Sequence, residues 1–321
     1  MEKLDESWWP YENSSNVYTE AEQVSDHSGI AHVLILGHSG FIGRHLSATI
    51  TTTYPGMAVT GRSMSDFDLT NPAAVVQLSD EIDPDTVVVV CAAIKKQLGD
   101  TIAAFEHNIA IITNLCRFFQ SHPVARVVYF SSAAVYGEDV HNLAITEESP
   151  IRPRSYYGLA KFTSECLLEK AFEQRHIRSL LTLRPPLVFG PGDASESYGP
   201  VGFVLKAMRG DPIVLWGDGD EKRCFIFIED LARIVSRLAI GPYEGKVNIA
   251  SNEGHSFREI LAHVTEMLPG KLSTSTRERT KAKVDNAFDN SRLIDMIGAF
   301  SFTPLSVGIS KTIAALKDTN R

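Results

Sequence analysis

The chain of 321 residues is long enough for one large α/β domain with an appended lobe, or for two domains, around a sizeable core. Hydrophobic residues at 44% and charged residues at 22% are ordinary for a soluble globular protein. The net charge of -8 argues against nucleic acid as the main partner, because phosphate binding needs clustered Lys and Arg.

Residues 1–28 form an acidic extension, with Glu2, Asp5, Glu6, Glu12, Glu20, Glu22 and Asp26 against the single cation Lys3. The segment lacks the basic and apolar regions of a secretory signal, and no apolar run reaches the eighteen or so residues that span a bilayer. Cys91, Cys116, Cys166 and Cys224 are scattered, without the spacing of a zinc site or a disulfide framework. The expectation is a cytoplasmic protein with no metal and no membrane partner.

From Ile30 a β-branched apolar run ends at Gly37, and Gly40 and Gly43 follow before a helical pattern begins. Strand, glycine turn and helix in that order let backbone N–H groups and a helix N-terminus approach a pyrophosphate. The turn Gly37-x-x-Gly40-Phe41-Ile42-Gly43 is therefore the candidate dinucleotide cradle.

A short second strand is expected over Met57–Thr60, ending in a loop Gly61-Arg62-Ser63. No acid lies from Met57 to Met64, where an NAD-binding fold places the carboxylate that takes the ribose hydroxyls. Arg62 is the candidate for an NADP 2′-phosphate, with Asp68 and Leu69 flanking the adenine. NADP(H) is thus favoured and NAD(H) is left possible.

Beyond Asn71 the pattern alternates as in a parallel sheet with helices on both faces. Strands are expected over 85–93, 125–132 and 178–189, and helices over 100–120 and 156–174. Ser131-Ser132 closes one strand, and Tyr157 and Lys161 open the following helix at i and i+4, on one face. An ammonium beside a phenol favours the phenolate, so Tyr157 can exchange a proton with a sugar oxygen held by Ser132 as hydride moves.

After Pro191 the chain turns to substrate, with a polar loop over 195–202, a helix over 203–209 and a short strand over 213–216. Arg223 suits a substrate phosphate, the competing reading being an ion pair with Glu221 or Asp220. Further strands are expected over 226–228 and 246–250 and a helix over 256–268. Arg277, Arg279, Lys281 and Lys283 read as a solvated basic loop, the competing reading being one more phosphate contact.

These motifs together resemble the extended short-chain dehydrogenases/reductases of the NAD(P)-dependent sugar epimerase/dehydratase family. The resemblance rests on the glycine turn, Ser131-Ser132-Ala-Ala-Val-Tyr-Gly137, Tyr157-x-x-x-Lys161, Leu183-Arg184-Pro185 leading to Gly190-Pro191-Gly192-Asp193, and Trp216-Gly217-Asp218-Gly219 leading to Arg223. It implies a doubly wound Rossmann sheet over 29–190, rejoined by 224–252, and a smaller substrate lobe from 191–223 and 253–321. It also implies Ser132, Tyr157 and Lys161 as the catalytic three, Asn108 near the substrate, and Ala92, Ala93 and Lys95 against the cofactor. A homodimer through the two long helices, 100–120 and 156–174, would follow.

Three departures qualify the resemblance. Sugar dehydratases carry an Asp-Glu pair where this chain has Ala133 and Ala134, which leaves elimination without a catalyst. Leu187 replaces an asparagine that touches the substrate pyrophosphate in many epimerases, and Cys224 replaces an aspartate after Arg223. Hydride transfer at C4 of a nucleotide-activated sugar remains, by a keto-sugar reductase or a 4-epimerase. A non-catalytic NAD(P)-binding sensor or scaffold of the same fold stays open as the alternative.

Overall fold

A computed structural model describes residues 30–66, 68–96, 99–137, 139, 141–196, 198–270, 272–280 and 282–319. The acidic extension therefore lies outside the described residues, as does Lys281 of the basic run.

The core is a sheet that alternates with helices. β1 (His32–Leu36) leads to α1 (Phe41–Thr53), β2 (Ala58–Arg62), a single helical turn α2 (Pro72–Val75), β3 (Thr86–Val90) and α3 (Ile102–Phe119). β4 (Arg126–Phe130), β5 (Asn142–Ile145), α4 (Tyr156–Glu173), β6 (Leu180–Arg184) and β7 (Leu187–Phe189) follow. The rest of the chain is α5 (Pro200–Arg209), β8 (Ile213–Trp216), β9 (Lys222–Arg223), β10 (Phe225–Phe227), α6 (Ile228–Ile240), β11 (Gly245–Asn248), β12 (His255–Ser256), α7 (Phe257–Met267), β13 (Thr274–Arg277), β14 (Asn286–Phe288), α8 (Ser291–Ile297) and α9 (Leu305–Thr319).

Six parallel strands make the main sheet in the order β11-β6-β4-β3-β1-β2. β1, β3, β4 and β6 are almost wholly apolar and buried on both faces because helices cover both sides. One apolar cluster joins alternate strand residues such as Val33, Val87 and Val128 to α1, α6 and the later elements. A second joins Leu34, Val88 and Val127 to α3 and α4. The order reverses between β1 and β3, and a crevice opens there at the carboxyl ends of the strands, as expected for a doubly wound sheet.

Four elements differ from the sequence reading. β2 runs on to Arg62, in register with Leu36, so Arg62 ends the strand instead of sitting in a loop beyond it. The expected strand 178–189 is cut in two at Pro185-Pro186, which cannot donate to a ladder. Helix α6 follows β10 with no breaker between them and was not legible as a separate element. Arg277 ends β13, which pairs with β8, and its guanidinium lies 5.0 Å from the Trp216 ring centroid, so this part of the basic run is neither a loop nor free.

Candidate active site

The glycine turn is shaped by close packing. Gly37 has φ +91°, and a Cβ there would meet the Ala92 main-chain nitrogen at 2.8 Å. A Cβ on Gly43 would lie 2.3 Å from the Gly37 oxygen, so α1 can approach β1 only without one. Gly40 is the N-cap of α1 and offers no side chain to its first turn. The amide ends of a thirteen-residue helix therefore face the crevice, a suitable seat for an anion.

That crevice, about 230 Å³, is lined by Gly37, Gly40, Phe41, Ile42, Gly43, Arg62, Asp68, Leu69, Ala92, Ala93 and Lys95, every residue expected to hold cofactor apart from the two catalytic candidates. Ser39, Ser63 and Met64 also line it and were missed. Ser63 Oγ accepts the Ser39 N–H at 3.0 Å and pairs with His38 Nδ1 at 3.0 Å, tying the glycine turn to the end of β2. A short polar residue directly after β2 was the available signal.

Arg62 is not a free cation. Its Nε donates to Glu81 Oε1 at 2.8 Å, and its Nη1 donates to the Gly61 carbonyl at 3.0 Å. Asp68 spends one carboxylate oxygen on Thr70 N and Oγ1 at 2.9 and 2.8 Å, which holds its pKa below the usual carboxylate range.

A second cavity of about 420 Å³ continues from the first and shares with it Phe41, Ile42, Cys91, Ala93 and Lys95. Ser132, Tyr157, Lys161 and Arg223 all line it. β4 ends at Phe130, Ser131 follows, and Ser132 N-caps the helical turn of residues 133–136, its Oγ accepting from Ala134 N at 3.2 Å. α4 is capped by Ser155, and Asp100 Oδ1 accepts the Tyr157 N–H at 3.0 Å, joining the loop after β3 to this helix. Gly158 lets α4 lie against that turn, since a Cβ would meet the Ala134 oxygen at 2.7 Å.

Lys161 is buried below Tyr157, with Nζ 5.7 Å from that ring's centroid and donating to the Phe130 carbonyl at 2.6 Å. Burial pushes its ammonium down to about 8, with the Glu165 carboxylate opposing. Burial likewise pushes the Cys91 thiol up to about 12, with Lys161 opposing.

Beneath these residues lies a buried ion pair. Arg184 donates to both Glu165 oxygens, Nη2 to Oε2 at 2.6 Å and Nε to Oε1 at 3.0 Å, and Nη1 to the Tyr136 hydroxyl at 2.9 Å. Ser131 Oγ donates to the same Glu165 carboxylate. Both serines of the Ser-Ser pair line the cleft, but the Ser131 hydroxyl is engaged by buried Glu165, whereas the Ser132 hydroxyl is engaged only by the turn it caps.

Asn108 does not line the cleft. Its Oδ1 accepts the Ile94 N–H at 2.7 Å and its Nδ2 donates to the Ile94 carbonyl at 3.0 Å, so it braces the loop that carries Ala92, Ala93 and Lys95. Arg223 ion-pairs with Glu221 and donates to the Val284 carbonyl at 2.5 Å, while Asp220 pairs with Arg258 at 2.9 Å. Asn286 and Phe288 of β14 enter the cleft without any sequence signal, because β14 is placed by pairing with β5.

With this geometry in place, comparison decides the family. The model of the NAD dependent epimerase/dehydratase family matches residues 33–250. The chain belongs to that family. It is an extended short-chain dehydrogenase/reductase, and the expected resemblance is borne out. Among curated relatives it is 27% identical to the dTDP-4-dehydro-6-deoxy-D-allose reductase of a Streptomyces species, over 87% of this chain and 94% of that protein. It is 26% identical to the GDP-6-deoxy-D-talose 4-dehydrogenase of Aggregatibacter actinomycetemcomitans, over 83% and 91%. Among solved structures it is similar to the UDP-glucose 4-epimerase of Thermus thermophilus in complex with NAD, at 22% identity, covering 89% and 99% of the two chains with a TM-score of 0.76. The UDP-glucuronic acid 4-epimerase of Bacillus cereus, in complex with UDP-glucuronic acid and NAD, gives a TM-score of 0.79 at 20% identity, covering 90% and 99%. The family is one of nucleotide-sugar epimerases, reductases and dehydratases that depend on NAD(P). Among the described residues, no helix is long and apolar enough to cross a membrane.

Proposed function

We propose that this enzyme moves a hydride at C4 of a nucleotide-activated sugar, with Ser132, Tyr157 and Lys161 as its catalytic residues. The observation that carries the reading is that these three side chains line a cleft continuous with the glycine crevice. The residues present fit a dinucleotide: the uncapped start of α1 takes the pyrophosphate, and the Cβ-free turn keeps the crevice open. When bound, the dinucleotide supplies or takes the hydride.

The protein's own part is proton handling and positioning. Ser132 Oγ holds the C4 oxygen, and the Tyr157 phenol gives that oxygen a proton on reduction or takes it on oxidation. Lys161, fixed on the Phe130 carbonyl, sets a positive charge below the phenol and favours its ionised form. Arg223, shared with Glu221, lies on the cleft to meet the substrate diphosphate.

Reduction of a 4-keto sugar with NADPH is favoured over epimerisation, because Arg62 at the crevice can meet a 2′-phosphate and no acid stands at the end of β2. The two curated relatives named for C4 reduction or dehydrogenation point the same way. A 4-epimerase with retained NAD is the second reading, supported by the grip of Glu81 on Arg62, which sets a carboxylate beside the 2′-phosphate position. The alanines at 133 and 134 disfavour a dehydratase.

Four unpaired cysteines suit the reducing cytoplasm. Exposed Ile102 on α3 with Tyr156 and Leu159 on α4 suit a homodimer through these helices, to be checked by light scattering.

The test is turnover of nucleotide-sugars followed by nicotinamide absorbance. Tyr157→Phe is expected to lower kcat by about a hundred- to ten-thousandfold with dinucleotide affinity unchanged. Unaltered turnover in this variant removes the catalytic assignment.

A further inference from the structure

The end of β2 holds a further determinant of cofactor choice, an inference that rests on the dinucleotide reading above. Ser63 follows β2 directly, about twenty residues beyond Gly43, where an NAD-binding fold carries the carboxylate that takes the ribose hydroxyls. It lines the crevice together with Ser39 and Arg62. His38 does not line the crevice but is set back from it, with its Nδ1 3.0 Å from the Ser63 hydroxyl oxygen. A Cβ on Gly61 would lie 2.3 Å from the His38 ring, so the imidazole reaches Ser63 only because β2 has glycine there.

A serine hydroxyl has one proton to give and two lone pairs to fill. One lone pair of Ser63 Oγ is taken by the Ser39 N–H at 3.0 Å. With His38 Nδ1 bare, Ser63 gives its proton to the imidazole, and the lone pair left over accepts from a ribose 2′-hydroxyl. With Nδ1 protonated, the imidazolium donates to that lone pair instead, and the serine proton is free for a phosphate oxygen. The same proton sets a positive charge behind the phosphate, in addition to Arg62.

We propose that His38 is a positioning residue that acts through Ser63, so that binding a dinucleotide with a 2′-phosphate takes up a proton at His38 and binding one with a free 2′-hydroxyl does not. The charged groups at this corner come from several elements. Arg62 ends β2 and is held by Glu81, and Asp66 accepts the Ser63 N–H at 2.6 Å. Asp68, Lys95 and His107 line the crevice from the loops after β2 and β3 and from α3, while Arg44 of α1 is turned to the Gly192 carbonyl. None of them bonds to the imidazole, whose side-chain partner among the described residues is Ser63. Imidazole is the side chain that changes charge between about pH 5 and about pH 8, so a proton taken up there makes NADP(H) affinity rise as pH falls through that range.

The experiment is calorimetric titration of the full chain with NADPH and with NADH, in buffers of different ionisation enthalpy and at several pH values. NADPH is expected to take up more protons than NADH, and its affinity relative to NADH to rise about three- to tenfold from about pH 8 to about pH 6, within the tenfold per pH unit that one linked proton allows. His38→Gln keeps a polar group at the position but cannot carry the charge, and Ser63→Ala keeps the imidazole but removes its link to the phosphate. The extra proton and the pH trend are expected to vanish in His38→Gln and to shrink in Ser63→Ala. The phosphate gains a proton of its own near about pH 6, which works against the trend and persists in both variants. A pH trend that is absent in the unmodified chain, or equal in it and in His38→Gln, overturns the proposal and leaves the role of Arg62 intact. Failure of NADPH to bind overturns the NADP(H) reading itself.

Discussion

Lys161 Nζ donates to the main-chain oxygen of Phe130 at 2.6 Å, so the last residue of β4 fixes the cation that lies under Tyr157. Sheet and helix meet at this bond. The strand end and the first turn of α4 cannot shift independently, and the proton on Lys161 depends on how far burial opposes it.

Burial holds the Lys161 ammonium at about 8, below the ordinary lysine value of 10.5. The unfolded chain keeps this proton over the range from about 8 to 10.5 while the folded chain has lost it, so this group makes the fold more stable as pH rises through that window. Activity is expected to move the opposite way, because the phenolate needs the ammonium: kcat/KM should fall about tenfold per pH unit above about 8. A pH–rate profile that stays flat to about pH 9.5 contradicts the role given to Lys161.

The buried pair of Glu165 and Arg184 yields a stability prediction. Burial works against the Arg184 charge, but the hydrogen bonds and charge of Glu165, with Tyr136, more than offset this and hold its pKa above the usual arginine value. Removing the charge in Glu165→Gln is expected to cost about 3 kcal/mol, a fall in Tm of several degrees, because the guanidinium is left buried without its counter-ion. Replacing both partners, Glu165→Leu with Arg184→Met, should recover much of that stability. Thermal denaturation of the three proteins distinguishes a necessary ion pair from a replaceable one.

Features carried by local pattern were legible in the sequence, and those made by distant partners were not. The glycine turn could be read because a strand, three glycines and a helix follow one another within about fifteen residues, and the spacing of Tyr157 and Lys161 is set by the helix itself. The grip of Glu81 on Arg62 joins residues nineteen apart, and nothing in either residue's sequence neighbourhood announces it. Trp216 stacks with Arg277 only because β8 and β13 pair across some sixty residues of chain. Asn108 resembled a substrate ligand by its position in the helix, and only coordinates assign both ends of its amide to Ile94.

The pairing of Arg62 with Glu81 sets the cofactor prediction. The Arg62 guanidinium has N–H donors beyond the Nε that Glu81 accepts from at 2.8 Å, but that carboxylate sets a like charge beside a 2′-phosphate held there. Arg62→Ala is expected to weaken NADPH about tenfold and to leave NADH nearly unchanged, and Glu81→Gln to tighten NADPH a few-fold by releasing the arginine. Fluorescence titration of both cofactors gives the ratio. If that ratio stays fixed in both variants, the 2′-phosphate does not lie at Arg62.

Asn108 provides a test of positioning away from the chemistry. Its buried amide makes two hydrogen bonds to the Ile94 backbone, and that loop carries Ala92, Ala93 and Lys95 along the crevice. Truncation in Asn108→Ala leaves the Ile94 N–H and carbonyl to find other partners, at a cost of about 1–3 kcal/mol. Asn108→Asp keeps the shape but turns an acceptor toward the Ile94 carbonyl, so it should be at least as damaging. Because the disturbance falls on the cofactor wall and not on Tyr157, dinucleotide Kd and KM are expected to rise about five- to tenfold while kcat at saturating cofactor changes less than twofold. A loss confined to kcat would place Asn108 at the reacting sugar, and a fall in Tm with unchanged Kd would make it a structural residue only.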